Sequence, residues 1–167
     1  VEHSSRMHPH SAADSRQRMY KAGNKLWHTD SSFKYLPALT SLLHARTTVP
    51  IGGHTEFADQ RAAYDALSDA EKKQFEGLIV EHWIVTSRKR SGFSDFNADE
   101  QRRLPPVPQM LVRTIPQNQR KALYVASHAG RIFGMPGGGL EKVRKTQKNA
   151  ADFNPCRRSS CSRPGVF

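Results

Sequence analysis

Apolar and polar residues alternate through residues 25–33, around Leu26, Trp27, His28, Thr29 and Asp30, and this period of two predicts a strand that Pro37 closes. Residues 39–49, rich in Leu, Thr and Val, predict a second extended segment ending at Pro50 and the Gly52-Gly53 turn, with a short third one at 54–58. Helix signals gather in the middle of the chain. Asp59 is placed to cap a helix through Leu67. Ser68 and Glu71 have the capping-box spacing, in which each side chain satisfies the other residue's backbone N–H, and they open a helix predicted from Asp69 to about Val80. Asn97 and Glu100 repeat the device before a turn of helix that Pro105 and Pro106 stop. Residues 110–115 and 121–127 are β-rich and predict a hairpin with a longer loop, and Asp14 heads a short helix to Lys21 in a polar lead-in. The pattern is that of a mainly β fold with helical excursions, in the α+β class, with no internal repeat.

Composition narrows the function classes. The 167 residues carry 37% hydrophobic and 25% charged side chains, enough for one modest core. No run approaches the roughly 18 apolar residues of a membrane span, and the N-terminus has no apolar signal region, so a soluble, cytoplasmic protein is expected. The net charge of +11 would by itself raise nucleic acid as a partner, but residues 137–167 alone hold +5 of it. The body's +6 is moderate. Both cysteines, Cys156 and Cys161, lie in the same tail, which excludes a disulfide framework or a cysteine-built zinc site from the body. Residues 1–136 are therefore read as the folded domain and 137–167 as a basic, disordered tail containing one amphipathic fragment. With Val as its first residue, the chain is expected to be a piece of something longer.

His28-Thr29-Asp30 is the triplet with most chemical content. On a strand, positions i and i+2 share a face, so imidazole and carboxylate would stand side by side as two of the three protein ligands of a 2-His-1-carboxylate iron site. A random order of this composition would give His-x-Asp about 0.4 times, and on the triplet alone a surface histidine beside a turn aspartate is the better fit. In the Gly52–Phe57 run, Thr55 and Phe57 would share a face, one hydroxyl beside one aromatic wall, although the spacing alone favours a hairpin turn followed by an ordinary strand. His128, at a predicted strand end, could meet an anionic group. His44, His54 and His82 read as structural or surface histidines, and Arg88-Lys89-Arg90 as a solvated charge run. Nucleophile-elbow, phosphate-loop and dinucleotide motifs are lacking in the sequence.

Four blocks in order, Gly23 to Phe33, Gly52 to Asp59, Arg61 to Leu67 and Ser127 to Gly130, resemble the TauD/TfdA family of iron(II)- and 2-oxoglutarate-dependent dioxygenases, most of all its alpha-type 2,4-dichlorophenoxyacetate dioxygenases. The likeness covers roughly residues 14–136. It implies a double-stranded β-helix, a jelly roll that is incomplete in this chain, with His28 and Asp30 as iron ligands, Thr55 donating to the distal carboxylate of 2-oxoglutarate, and Ser32 and His128 facing substrate. Fe(2+) is the implied cofactor, and 2-oxoglutarate and O2 are the cosubstrates. The implied reaction hydroxylates the carbon beside the ether oxygen of a small aryloxy acid, giving a phenol, glyoxylate, succinate and CO2. Taurine or a sulfate ester is the alternative substrate within the class.

Two departures accompany the resemblance. Ile115 stands where many 2,4-dichlorophenoxyacetate enzymes have histidine, and after Pro136 neither the family's distal histidine nor its 2-oxoglutarate arginine is recognisable. The chain alone is therefore expected to be inactive. The competing reading, from another class, is a nonspecific nucleic-acid arm formed by the tail; nucleic acid is not the expected partner, membrane is excluded, and a homo-oligomer stays open.

Overall fold

The computed structural model describes residues 16–47, 50–51, 55–135, 139–141 and 143–145. The described chain opens with α1 (Arg16–Ala22) and one 3-10 turn at Gly23–Lys25, then runs irregularly to residue 59. The extended segments expected at 39–49 and 54–58 form no strand in their described residues. Leu39 and Leu42 are 90% and 93% exposed. Among the described residues no strand pairs with this stretch, so its β-rich composition has no ladder to join there.

Helices follow their local signals closely. Asp59 caps α2 (Gln60–Asp65) by accepting the N–H groups of Arg61 and Ala62, and the Arg61 guanidinium forks onto the same carboxylate at 2.8 and 2.9 Å. That pairing pulls the Asp59 carboxyl down to about 2. Both capping boxes form, Ser68 with Glu71 at α3 (Asp69–Phe75) and Asn97 with Glu100 at α5 (Ala98–Arg103). The helix expected to reach Val80 ends at Phe75. Gly77 takes φ 74°, a left-handed conformation open to glycine, and turns the chain into β1 (Ile79–His82).

After β1 comes α4 (Ile84–Arg90), which has no side-chain cap, and after α5 come β2 (Val107–Met110), β3 (Val112–Thr114), β4 (Lys121–Leu123) and β5 (Ala129–Ile132). All pairings are antiparallel. One sheet has the order β2-β1-β5, and β3 with β4 forms the predicted hairpin, Val112 opposite Leu123. The larger core cluster joins Tyr64, Leu67 and Phe75 of the helical segment to Val80, Leu111, Leu123 and Ile132 of the sheets. Leu140 and Val143, beyond Pro136, are buried in that cluster as well. Ile84, Val85, Phe93 and Phe96 make a second cluster, roofed by Tyr20 and Phe33. Among the described residues no helix is long and apolar enough to cross a membrane.

Candidate active site

The segment carrying His28 and Asp30 is anchored at both ends. Upstream, the 3-10 turn lies against buried Arg88, and a Cβ at Gly23 would come within 2.2 Å of its Nη1, so this position has room for glycine alone. Arg88 donates to Asn24 Oδ1 at 2.9 Å and lies 4.6 Å from the Tyr20 ring centroid. The Trp27 carbonyl accepts the Ser127 N–H at 2.9 Å, tying the segment to the chain that precedes β5. Beyond it, Ser32 N–H reaches Thr29 O at 3.4 Å and Lys34 N–H reaches Ser31 O at 2.9 Å, with Ser31 at φ 57°. The strand expected at 25–33 is thus a 3-10 turn, a short extended link and a second turn. A single backbone bond to Ser127 makes no ladder, and a left-handed residue cannot continue a strand.

The turn nevertheless brings the two side chains together. His28 Nε2 lies 3.3 Å from Asp30 Oδ1. The other ring nitrogen, Nδ1, donates to Leu26 O at 2.7 Å, which leaves Nε2 as the nitrogen turned to the carboxylate. Asp30 Oδ2 accepts the Ser41 hydroxyl at 2.5 Å, leaving Oδ1 toward the histidine. Nε2 and Oδ1 face one another across a gap close to the edge of an octahedron with bonds of about 2.1 Å, which is about 3 Å. A proton on Nε2 or a metal cation satisfies both atoms, and an imidazole with a carboxylate is a donor pair suited to iron(II). The residues fit the metal. Among the described residues, no group of three or more His, Cys, Asp or Glu converges.

His128 lies beside the pair, its ring centroid 6.2 Å from that of His28 and 4.9 Å from that of Phe33. It is buried, and its Nδ1 has no hydrogen-bond partner. Burial, then the nearby charges led by Arg88, pushes the imidazole down to about 3, so it is neutral at pH 7. Ser32 is fully buried with an unpartnered Oγ. Thr55 is exposed, in the irregular chain leading to α2. His54 and both cysteines lie outside the described residues. Ile115 sits at the mouth of the β3–β4 hairpin, its N–H donated to Arg120 O at 2.8 Å.

Several residues that shape the site were hidden from sequence reasoning. The run Arg88-Lys89-Arg90 is not a solvated face: Arg88 is buried, and Arg90 donates to the carbonyls of Ser127 and, at 2.8 Å, of Ala129. Arg144 donates to Ala129 O at 2.6 Å, and the Trp83 N–H to His128 O at 2.9 Å, so all three carbonyls of the 127–129 turn are held. Burial and Arg144 bring Arg90 down to about 10, still charged at neutral pH. No local signal marks these arginines, since α4 has no side-chain cap and opens on β-branched residues. His82 is structural, as expected: fully buried, stacked on Tyr124 at 5.3 Å, and within 3.2 Å of Tyr124 O through Nε2.

Antiparallel sheets with intervening helices, and an imidazole–carboxylate pair on a turn at their side, define an α+β protein of the jelly-roll type. The chain matches the family described as taurine catabolism dioxygenase TauD, TfdA family over residues 2–152, and it belongs to that family. The match extends past both ends of the 14–136 stretch that carries the resemblance. An alpha-ketoglutarate-dependent 2,4-dichlorophenoxyacetate dioxygenase of Cupriavidus pinatubonensis is 42% identical over 123 residues, covering 74% of this chain and 43% of the relative. An (S)-phenoxypropionate/alpha-ketoglutarate-dioxygenase of Sphingobium herbicidovorans is 34% identical, over 72% of this chain and 44% of its own. The crystal structure of AAD-2 in complex with Mn(II) and N-oxalylglycine superposes with a TM-score of 0.78 at 48% identity, covering 84% of this chain and 51% of that one. The chain thus spans about half the length of the relatives it matches.

Proposed function

We propose that this chain carries the iron-binding part of an iron(II)- and 2-oxoglutarate-dependent dioxygenase acting on 2,4-dichlorophenoxyacetate or a related aryloxyalkanoate. The observation that carries the proposal is the convergence of His28 Nε2 and Asp30 Oδ1 to 3.3 Å with their outer atoms already satisfied. Family membership and relatives named for two aryloxyalkanoates support the substrate class. Bound iron(II), with 2-oxoglutarate and O2, supplies the oxidising power to hydroxylate the carbon beside the ether oxygen, after which the product collapses to a phenol and glyoxylate. This chain's residues supply the rest. The Leu26 carbonyl keeps the proton on His28 Nδ1, and the Ser41 hydroxyl orients the Asp30 carboxylate. Neutral His128 and Ser32 offer unpartnered polar atoms to the substrate, and the Thr55 hydroxyl takes the distal carboxylate of 2-oxoglutarate.

His28 and Asp30, the candidate ligands among the described residues, are one short of the facial triad, and we infer that the 167-residue chain alone does not turn over. The test adds iron(II) and 2-oxoglutarate without oxygen, then air and 2,4-dichlorophenoxyacetate, to this chain and to the same chain continued with the family's C-terminal half. The continued chain is expected to develop the visible charge-transfer band of the chelate and to release succinate and phenol, losing both in His28→Ala and Asp30→Ala. Undiminished turnover in either variant overturns the ligand assignment.

A further inference from the structure

The turn that carries Asp30 is held from outside by one buried amide. Gln109 lies on β2 opposite Val80 and is 6% exposed. Its Nε2 donates to the carbonyls of Ser32, at 3.1 Å, and Lys34, at 3.0 Å. Its Oε1 accepts from the Arg113 guanidinium, which fixes the amide's orientation: a flip would turn NH2 toward a cation and oxygen toward two carbonyls. Arg113 is itself immobilised, 3.6 Å from the centroid of the Tyr124 ring, whose other partner is His82. The turn needs such support. Its bond from Ser32 to Thr29 is long at 3.4 Å, and Ser31 holds φ 57°, which a residue with a side chain seldom adopts.

We propose that Gln109 is a positioning residue for Asp30: by holding the Ser32 and Lys34 carbonyls it locks the turn in the one conformation that sets the Asp30 carboxylate against His28. The inference rests on the reading of His28 and Asp30 as metal ligands and deepens it. Supports one bond removed from a metal ligand commonly contribute tenfold or more to metal affinity, because the ligand must otherwise be ordered at the moment of binding.

The test uses the chain continued with the family's C-terminal half, so that the ligand set is complete, and Mn(II) alone, with amide hydrogen exchange as a readout that needs no metal. Gln109→Met keeps the length and removes both donors without burying a charge, and Gln109→Glu keeps an acceptor for Arg113. In either, exchange at the Ser32 and Lys34 amides should accelerate about tenfold or more while the Val80 amide in β1 stays protected, and Mn(II) affinity should fall about tenfold. If both variants unfold, Arg113→Met, which leaves the donors but frees the amide to rotate, should show the same pattern at smaller amplitude. Wild-type exchange at Ser32 and Lys34 in a folded variant overturns the inference, as does a loosened turn with wild-type Mn(II) affinity. An Asp30→Ala chain that binds Mn(II) like the unsubstituted one, or an unsubstituted chain that binds none, sinks the ligand reading and the inference with it. The exchange pattern then separates that failure from a failure of Gln109 to hold the turn.

Discussion

At the scale of single residues, His82 links this fold to acidity. Burial, with the Arg113 charge, holds its imidazole down at about 4, against an ordinary value of 6.5 and despite the bond to Tyr124 O. The unfolded chain takes up the proton first, so stability that is intact above pH 6.5 is lost as pH falls toward about 4, by up to about 3 kcal/mol. In His82→Phe, which keeps the ring stacked on Tyr124, thermal midpoints measured from pH 7 to 4 should decline less than in the unsubstituted chain; an equal decline assigns the effect to another group. Thr55 is a proposal about chemistry alone. In the continued chain, Thr55→Val should raise the apparent Michaelis constant for 2-oxoglutarate about tenfold, the worth of one hydrogen bond to a charged group, and leave that for the aryl substrate unchanged. A shift in the aryl constant alone would place Thr55 on the other ligand. The His28–Asp30 pair was singled out through the family resemblance rather than by spacing alone, and the strand invoked to align it is absent. Gln109 was not legible, since its contact with Ser32 spans 77 residues of sequence and no local pattern encodes it.

At the scale of elements, what could be read was whatever the chain settles within four residues. Asp59, Ser68 with Glu71, and Asn97 with Glu100 begin helices because each side chain reaches its own backbone, whatever surrounds it. Ser68→Ala should accordingly cost about 1 kcal/mol, measured by denaturant titration, and the loss should be matched when Glu71 is replaced as well, because the two act as one device. Additive losses would show that they act separately. Strand β1 was hidden because the apolar run at 78–80 continues the preceding helix in register until Gly77 reverses the backbone. Helix α4 was hidden because its first turn is Ile84, Val85 and Thr86, β-branched residues with no cap, so burial rather than propensity makes it. The hairpin of β3 and β4 was visible because both arms and the turn lie close in sequence.

At the scale of the whole molecule, the described surface is divided between a wet sheet-and-helix body and a bare apolar stretch. Leu36, Leu39, Leu42 and Leu43 stand almost fully in water along one irregular segment, an arrangement that favours self-association. Replacing Leu39 and Leu42 by Ser should leave the melting temperature of the chain within a degree or two while lowering light scattering at high concentration; unchanged scattering would move the sticky surface elsewhere. The three-stranded sheet carries a different provision. Leu111 N–H donates to Leu78 O, which makes 80/109 and 82/107 the hydrogen-bonded pairs of β1 and β2 and turns the nitrogens of residues 108 and 110 outward. Residue 108 is proline. Half of the outward donors of that edge are therefore missing, and an extended segment of another molecule trying to zip onto β2 would leave a carbonyl unanswered at every attempt. Intermolecular cross-β growth is hindered on that flank, and the other margin of the sheet among the described residues, β5, has its Ala129 carbonyl already occupied by Arg90 and Arg144.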